Sequence, residues 1–257
     1  MTQSLSLLIG TALAFSPLVL SAAELETPPF TGSATLVSDY VFRGISQTQH
    51  RPAVQVGLEY AHPTGFYVGT WASNVSWVRE TNLKSDSSLE WDFYGGYRGS
   101  LIGDLTWDVG VLTYYYYPGS VLPGAVDANS TEVYAGLGWK FVTAKYAHTV
   151  SSHLFGWTGP GGEKSRGSGY WDLSLNYPLD DGWAVQAHLG HQRIENRSSA
   201  SYTDWKVGIS KELGFGTMAL AYSDTNAKGS CAKGEDYCWN GKDVSSGRAL
   251  LTWSKSF

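Results

Sequence analysis

The stretch "LEWDFYGGYRGSLIGDLTWDVGVLTYYYY", residues 89–117, decides the reading of this chain. Side chains alternate across it with period two, as they do along a β-strand and not along a helix. Leu89, Trp91, Phe93 and Tyr97 fall on one face, with Glu90, Asp92 and Arg98 on the other. After the short gap "GSLIGD" the pattern resumes. Leu105, Trp107, Val109 and Val111 then oppose Thr106, Asp108 and Gly110. Two long strands joined by a tight turn therefore carry bulky apolar groups on one side and charges on the other.

The same alternation recurs in both directions. "AVQVGLEY" opposes Val54, Val56, Leu58 and Tyr60 to Gln55 and Glu59, and "EVYAGLGWKF" opposes Val133, Leu137, Trp139 and Phe141 to Glu132 and Lys140. "YWDLSLNY", "AVQAHLGHQ" and "TDWKVGIS" follow suit, with Asp172, His188, Asp204 and Lys206 on the polar face. The first segment, "ATLVSDYVFR", puts Leu36, Tyr40 and Phe42 against Thr35, Asp39 and Arg43. "FYVGTWAS", "VTAKYAH" and "TMALAYS" alternate less cleanly, and the closing "GRALLTWSKSF" brings the total to about 12 strands.

Between these segments the connections run long, short, long, short. "GISQTQHR", "NVSWVRETNLKSD" and the stretch from Asp224 to Ser246 are long; "AHPTG", "PLDDG" and "ELGFG" are short. Outer-membrane barrels have this asymmetry, with tight periplasmic turns and longer external loops. A soluble β-sandwich, the alternative for an aromatic-rich all-β chain, has no reason to keep it. Hydrocarbon also forbids unpaired backbone, so a spanning sheet must close on itself. A Lys or Arg facing lipid at the bilayer midplane costs about 2–4 kcal/mol, so charges confined to one face are informative. The expected fold is all-β: a transmembrane antiparallel up-and-down barrel in the outer membrane of a Gram-negative bacterium.

Aromatic placement fits that solvent arrangement. Trp and Tyr prefer membrane–water interfaces, where the ring is apolar and the N–H or O–H stays wet. Phe42, Trp91, Tyr115 and Trp171 are expected near the outer rim. Tyr60, Tyr97, Trp107, Trp139, Phe141, Tyr177, Trp183 and Phe257 are expected near the inner one. The final strand must pair with the first, so the C-terminus is held rather than frayed. Leu251, Trp253 and Phe257 face outward as an assembly signal read by the barrel-insertion machinery, and Lys255, the departure on that face, snorkels at the interface.

Residues 1–23 read as a cleaved signal peptide and 24–257 as a single barrel domain. The apolar run Leu5–Leu20 is followed by Ser21, Ala22 and Ala23, although no Lys or Arg precedes it. A membrane anchor is the competing reading of this run, which is short and has no basic flank after it. Export makes a disulfide the simplest fate for Cys231 and Cys238; two thiols without nearby His make a poor metal site. The net charge of -5 carries no clustered basic face, which argues against nucleic acid.

The stretch "SDYVFRGISQTQHRPAVQVGLEYAHPTGFYVGTWASNV", with "YGGYRG", "DVGVLTYYYYPG" and the ending "WSKSF", resembles the TorF-like porin family, also known as Gcw_chp. The resemblance runs from about Gly32 to Phe257. It implies an outer-membrane barrel with a porin role and supplies no substrate or catalytic set.

Chemistry is sparse. Ser151, Ser152 and His153 are too close in sequence to form a hydrolase triad by themselves. His188 and His191, three apart on a strand, point to opposite faces and cannot share a metal. "GPGGEKS" lacks the Gly before Lys164 and the flanking helix that a phosphate loop needs. No catalytic set, metal or cofactor is expected.

What remains is the inward face: Asp39, Glu59, Glu90, Asp92, Asp108, Glu132, Asp172 and Asp204, opposed by Arg43, Arg98, Lys140, Lys206 and Arg248, with Lys145 as a further candidate. These are the expected lining of a narrow channel for small hydrophilic solutes, weakly cation-preferring from its acid excess. A plugged barrel that binds ligand, lipopolysaccharide or a partner through its loops is the alternative, and a lipid hydrolase a lesser one. Outer-membrane lipid and lipopolysaccharide are the expected surroundings.

Overall fold

A computed structural model describes residues 29–257, so the expected signal peptide lies outside the described residues. Twelve antiparallel strands form the wall: β1 (Phe30–Val37), β2 (Ala53–Ala61), β3 (Phe66–Asn74), β4 (Leu89–Ile102), β5 (Leu105–Tyr117), β6 (Ser130–Trp139), β7 (Val142–Thr149), β8 (Gly169–Pro178), β9 (Trp183–Arg193), β10 (Tyr202–Leu213), β11 (Gly216–Thr225) and β12 (Arg248–Ser256). Each pairs with its neighbours in sequence, and β1 pairs with β12, so the sheet closes and leaves no edge. The three weakly alternating segments all form strands, β3, β7 and β11.

Closure involves the last residue of the chain. Gly32 N donates to the Phe257 carbonyl at 2.8 Å and Phe257 N donates to the Gly32 carbonyl at 3.0 Å. The Phe257 ring lies over Gly32, where a Cβ would stand 2.6 Å from the ring edge. The terminal aromatic is thus seated at the seam while 74% of its surface stays open to the lipid side.

Outward residues are predominantly apolar and uncovered. Val54, Val56 and Leu58 on β2, Val109 and Val111 on β5, and Leu173 on β8 are all exposed. Trp91, Tyr115 and Trp171 mark the outer rim, and Trp139, Tyr177, Trp183 and Phe257 the inner one. Among the described residues no helix is long and apolar enough to cross a membrane; the strands cross it.

Two expectations about the first segment fail. Instead of continuing as strand to Arg43, the chain leaves the wall after Val37 and turns into the barrel. Val41–Phe42 and Ile45–Ser46 pair as a small hairpin whose two central residues, Arg43 and Gly44, have φ of 47° and 78°. Two positive φ values in succession define a type I′ turn, whose twist suits a two-residue hairpin. Gly44 is required twice over, because a Cβ there would lie 2.6 Å from Cβ of Asp204 on β10. Tyr40 and Phe42, expected on the lipid face, are therefore inside; Tyr40 is fully buried and Phe42 packs edge-on against Tyr114 and Phe155.

The other external loops close over this hairpin. Ser76 N donates to the Gln47 carbonyl at 2.9 Å, and Ser46 N to that of Val244 at 3.0 Å. Gln49 Nε2 donates to the Trp239 carbonyl at 3.0 Å. A short helix, α1 (Trp77–Glu80), presents Trp77 to Tyr116, Phe155 and Trp239. The buried apolar cluster is therefore concentrated inside the external half of the barrel, around these loops. The expected disulfide Cys231–Cys238 forms in the loop that carries Tyr237 and Trp239.

Candidate functional site

Strand alternation sends every second side chain into the lumen, and the hairpin tip adds Arg43 from above. Arg43 holds Glu132 of β6 in a two-point pair, Nη2 to Oε2 at 2.7 Å and Nη1 to Oε1 at 3.1 Å. Its Nη1 also donates to Oε1 of Gln192 on β9 at 2.8 Å. Tyr170 and Phe42 stack on the guanidinium, 4.3 and 4.8 Å from their ring centres. The Tyr114 hydroxyl donates to Glu132 Oε2 at 2.9 Å. Arg43 from the hairpin meets Glu132 and Gln192 from two separate strands of the wall, and the three form a septum across the barrel.

A second bridge anchors the base of the hairpin. Arg248 at the start of β12 donates to Asp39 Oδ2 at 2.8 Å, while the Ser46 hydroxyl donates to Oδ1 at 2.6 Å. Nearby on β4, Glu90 accepts the Tyr40 hydroxyl at 3.0 Å. Asp92, two residues on, is 0% exposed, and neither carboxylate oxygen meets a hydrogen-bond donor among the described residues.

Below the septum the character changes. Arg98 pairs with Glu59 at 2.7 Å, and these side chains keep 19% and 25% of their surface open, against 9% and 1% for Arg43 and Glu132. Water therefore reaches the inner half and not the septum. Arg98 also lies over the Tyr67 ring, whose hydroxyl donates to Asp108 at 2.6 Å. Lys145 of β7 sits over the Tyr134 ring at 4.0 Å and is the register partner of Asp172 on β8. On the facing wall His188 bridges two acids, 3.0 Å from Asp204 Oδ1 and 3.3 Å from Asp172 Oδ2, with Ser174 Oγ 3.1 Å from Nδ1. Lys206, on the same inward row as Asp204, is the register partner of His188.

Of the expected lining residues, one is elsewhere. Lys140 is exposed in the tight turn after β6, with φ of 54° and Nζ 5.1 Å over the Trp139 ring. The strand ends one residue before it, so alternation no longer governs its direction. It snorkels at the inner rim. His188 and His191 do point to opposite sides, His191 toward Thr203 Oγ1 at 2.9 Å. Among the described residues no group of three or more His, Cys, Asp or Glu side chains is arranged to hold a metal.

Sequence reasoning missed the partners that make the septum. Gln192 and Tyr170 were on the inward rows but uncharged. Gly44, between Val41-Phe42 and Ile45-Ser46, was an available turn signal.

Above the septum the loops enclose a vestibule of about 550 Å³. Arg43 and Gln192 are at its floor, Trp77, Phe155 and Trp157 in its walls.

A closed barrel with a lipid-facing apolar exterior, two aromatic girdles and a charged interior defines an outer-membrane β-barrel of the porin architecture. Solved structures agree on the fold. The KdgM porin superposes with a TM-score of 0.54 at 7% identity, covering 88% of this chain and 99% of that one. The NanC porin gives 0.52 at 14% identity, over 88% and 97%. A KdgM porin in complex with disordered oligogalacturonate gives 0.53 at 8%, over 89% and 99%. No curated protein matches the chain. The family model described as "Bacterial protein of unknown function (Gcw_chp)" matches residues 22–257, and the chain belongs to that family.

Proposed function

We propose that this barrel is a gated channel for passive diffusion of small hydrophilic solutes, with the Arg43 hairpin as its constriction. The observation that carries the reading is the position of Arg43. Arg43 lines the external vestibule, and the pair it makes with Glu132 is closed to solvent, whereas the Arg98–Glu59 pair in the inner half is partly open. On this reading the Arg43 layer separates the vestibule from the inner half of the lumen, and parting it joins them. Charges of both signs below the layer set selectivity, and the external loops set access. Lipid and lipopolysaccharide surround the barrel, and the assembly machinery reads its last strand.

The septum also favours a second reading, a sealed barrel that only binds through its loops. Planar-bilayer recording separates the two. Stepwise openings that grow in Arg43→Ala support the channel. Silence in both forms, with insertion verified by heat-modifiable gel migration, favours the sealed barrel. Arg43→Glu would place two carboxylates at the constriction and shift reversal potentials toward cation preference.

A further inference from the structure

The vestibule is more than an approach to the septum. Its volume of about 550 Å³ falls within the roughly 300–1,000 Å³ of sites that enclose small ligands. Three properties of its walls narrow the ligand.

The first is charge. Both arginines that line it are already engaged: Arg43 by Glu132 and Arg197 by Asp236. Glu80 takes contacts from Arg79 and from Asn240, and Glu235 accepts the Ser230 amide at 2.8 Å. An anionic ligand would compete with a carboxylate for either guanidinium, and a cationic one would compete with these donors. The ligand that disturbs least is uncharged.

The second is the alternation of flat apolar and hydrogen-bonding groups. Half-buried rings of Phe42, Phe155 and Trp157 stand beside the carboxamides of Gln47, Asn82 and Asn240. The amide groups of Gln47 and Asn240 already donate to the Ile45 carbonyl and to Glu80, but a purely aromatic solute would match the rings and offer nothing to their carboxamide oxygens or to Asn82, which costs free energy where water is displaced. A pyranose ring matches both, with C–H faces for the aromatics and an equator of hydroxyls for the amides.

The third is an orphan donor. Trp77, in the wall, is 4% exposed, and its indole N–H has no hydrogen-bond partner among the described residues. A buried N–H without an acceptor is uncommon and calls for an explanation. A ligand hydroxyl oxygen reached by a small shift of α1 would satisfy it.

We infer that the vestibule is a binding site for a neutral saccharide of one to three rings, held above the septum before passage. The inference rests on the channel reading, since the solute bound is taken to be the solute passed.

Tryptophans in the wall supply the readout. The detergent-refolded full barrel is titrated with maltotriose and with trigalacturonate, following intrinsic fluorescence, and with indole, whose own emission overlaps that of tryptophan, by calorimetry; the same probes are added to bilayers. Saturable quenching and current block by maltotriose, but not by the other two, is the expected result. Trp157→Ala should weaken maltotriose binding about tenfold, the factor supplied by burying some ~60 Å² of ring face. Trp157→Phe should restore most of it, which a folding defect would not allow. Openings without maltotriose binding would overturn the inference and leave the channel standing. Saturable maltotriose binding without openings would uphold the site and overturn the channel. Tighter binding of trigalacturonate or indole would overturn the assignment of ligand class.

Discussion

Replacing Glu132 by Gln removes one charge from the septum and leaves its shape almost unchanged. The pair it breaks is buried on both sides, with 9% and 1% of the side-chain surfaces exposed. Removing one partner of a buried ion pair costs about 3–5 kcal/mol, because the remaining charge is left desolvated and uncompensated. Part of that is recovered here. Arg43 keeps its 2.8 Å bond to Gln192 and its contacts with two ring faces, each cation–π contact worth about 0.5–2 kcal/mol. A net loss of about 3 kcal/mol is expected, near the bottom of the range. If that loss falls on hairpin docking rather than on the whole barrel, the ratio of docked to undocked hairpin drops by about two orders of magnitude. Two assays follow the same perturbation. Urea unfolding in lipid vesicles reads the cost to the barrel, and single-channel recording reads the open fraction. The double variant Arg43→Met with Glu132→Gln should recover stability toward wild type, because neither charge is then stranded. The cycle formed with both single variants should give a coupling energy of at least about 1 kcal/mol. Coupling indistinguishable from zero, together with unchanged open fraction in all variants, would refute the septum as a constriction.

Gly44→Val should expel the hairpin tip: φ of 78° disfavours a β-branched residue, and the new Cβ would meet Asp204 at 2.6 Å. Larger conductance in bilayers with the barrel still heat-modifiable is the expected readout. Asp92→Asn should raise the urea midpoint at neutral pH, by about 1–3 kcal/mol in free energy, since a fully buried acid with no donor is exchanged for a side chain that cannot ionise. A lower midpoint would mean that the carboxylate is compensated by a partner. Phe257→Ala should leave refolding in detergent nearly unchanged, the ring being 74% exposed, yet sharply reduce assembly in cells. Equal losses in both assays would assign the ring a structural role alone. Intact-mass measurement of the protein from outer membranes should give a chain beginning at Glu24; retention of Met1 would overturn the cleavage site.

Much of the wall was legible in the sequence because lipid imposes a simple rule on it. A strand in hydrocarbon must put apolar groups outward at every second residue, so Val54, Val56 and Leu58 announce their side without reference to any distant residue. Closure follows from the same medium, which tolerates no open sheet edge, and loop asymmetry orients the barrel. Asp108, Glu132, Asp172 and Asp204 could accordingly be placed inward one by one. Lys140 could not, because a two-residue turn obeys backbone geometry rather than alternation.

The hairpin belongs to the other kind of information. "VFRGIS" carries a local turn signal that is the same whether the turn points to solvent or into the lumen. Only the folded barrel brings Glu132 and Gln192, 89 and 149 residues away in the chain, to the place where Arg43 can meet both. Strand pairing and facing are short-range consequences of period and solvent, and the sequence determined them by itself. The direction of a loop is a contest between hydration and burial. Here the tertiary structure decided it, because burying Arg43 is tolerable only where the barrel wall supplies a carboxylate, an amide oxygen and the Tyr170 face to add to the hairpin's own Phe42.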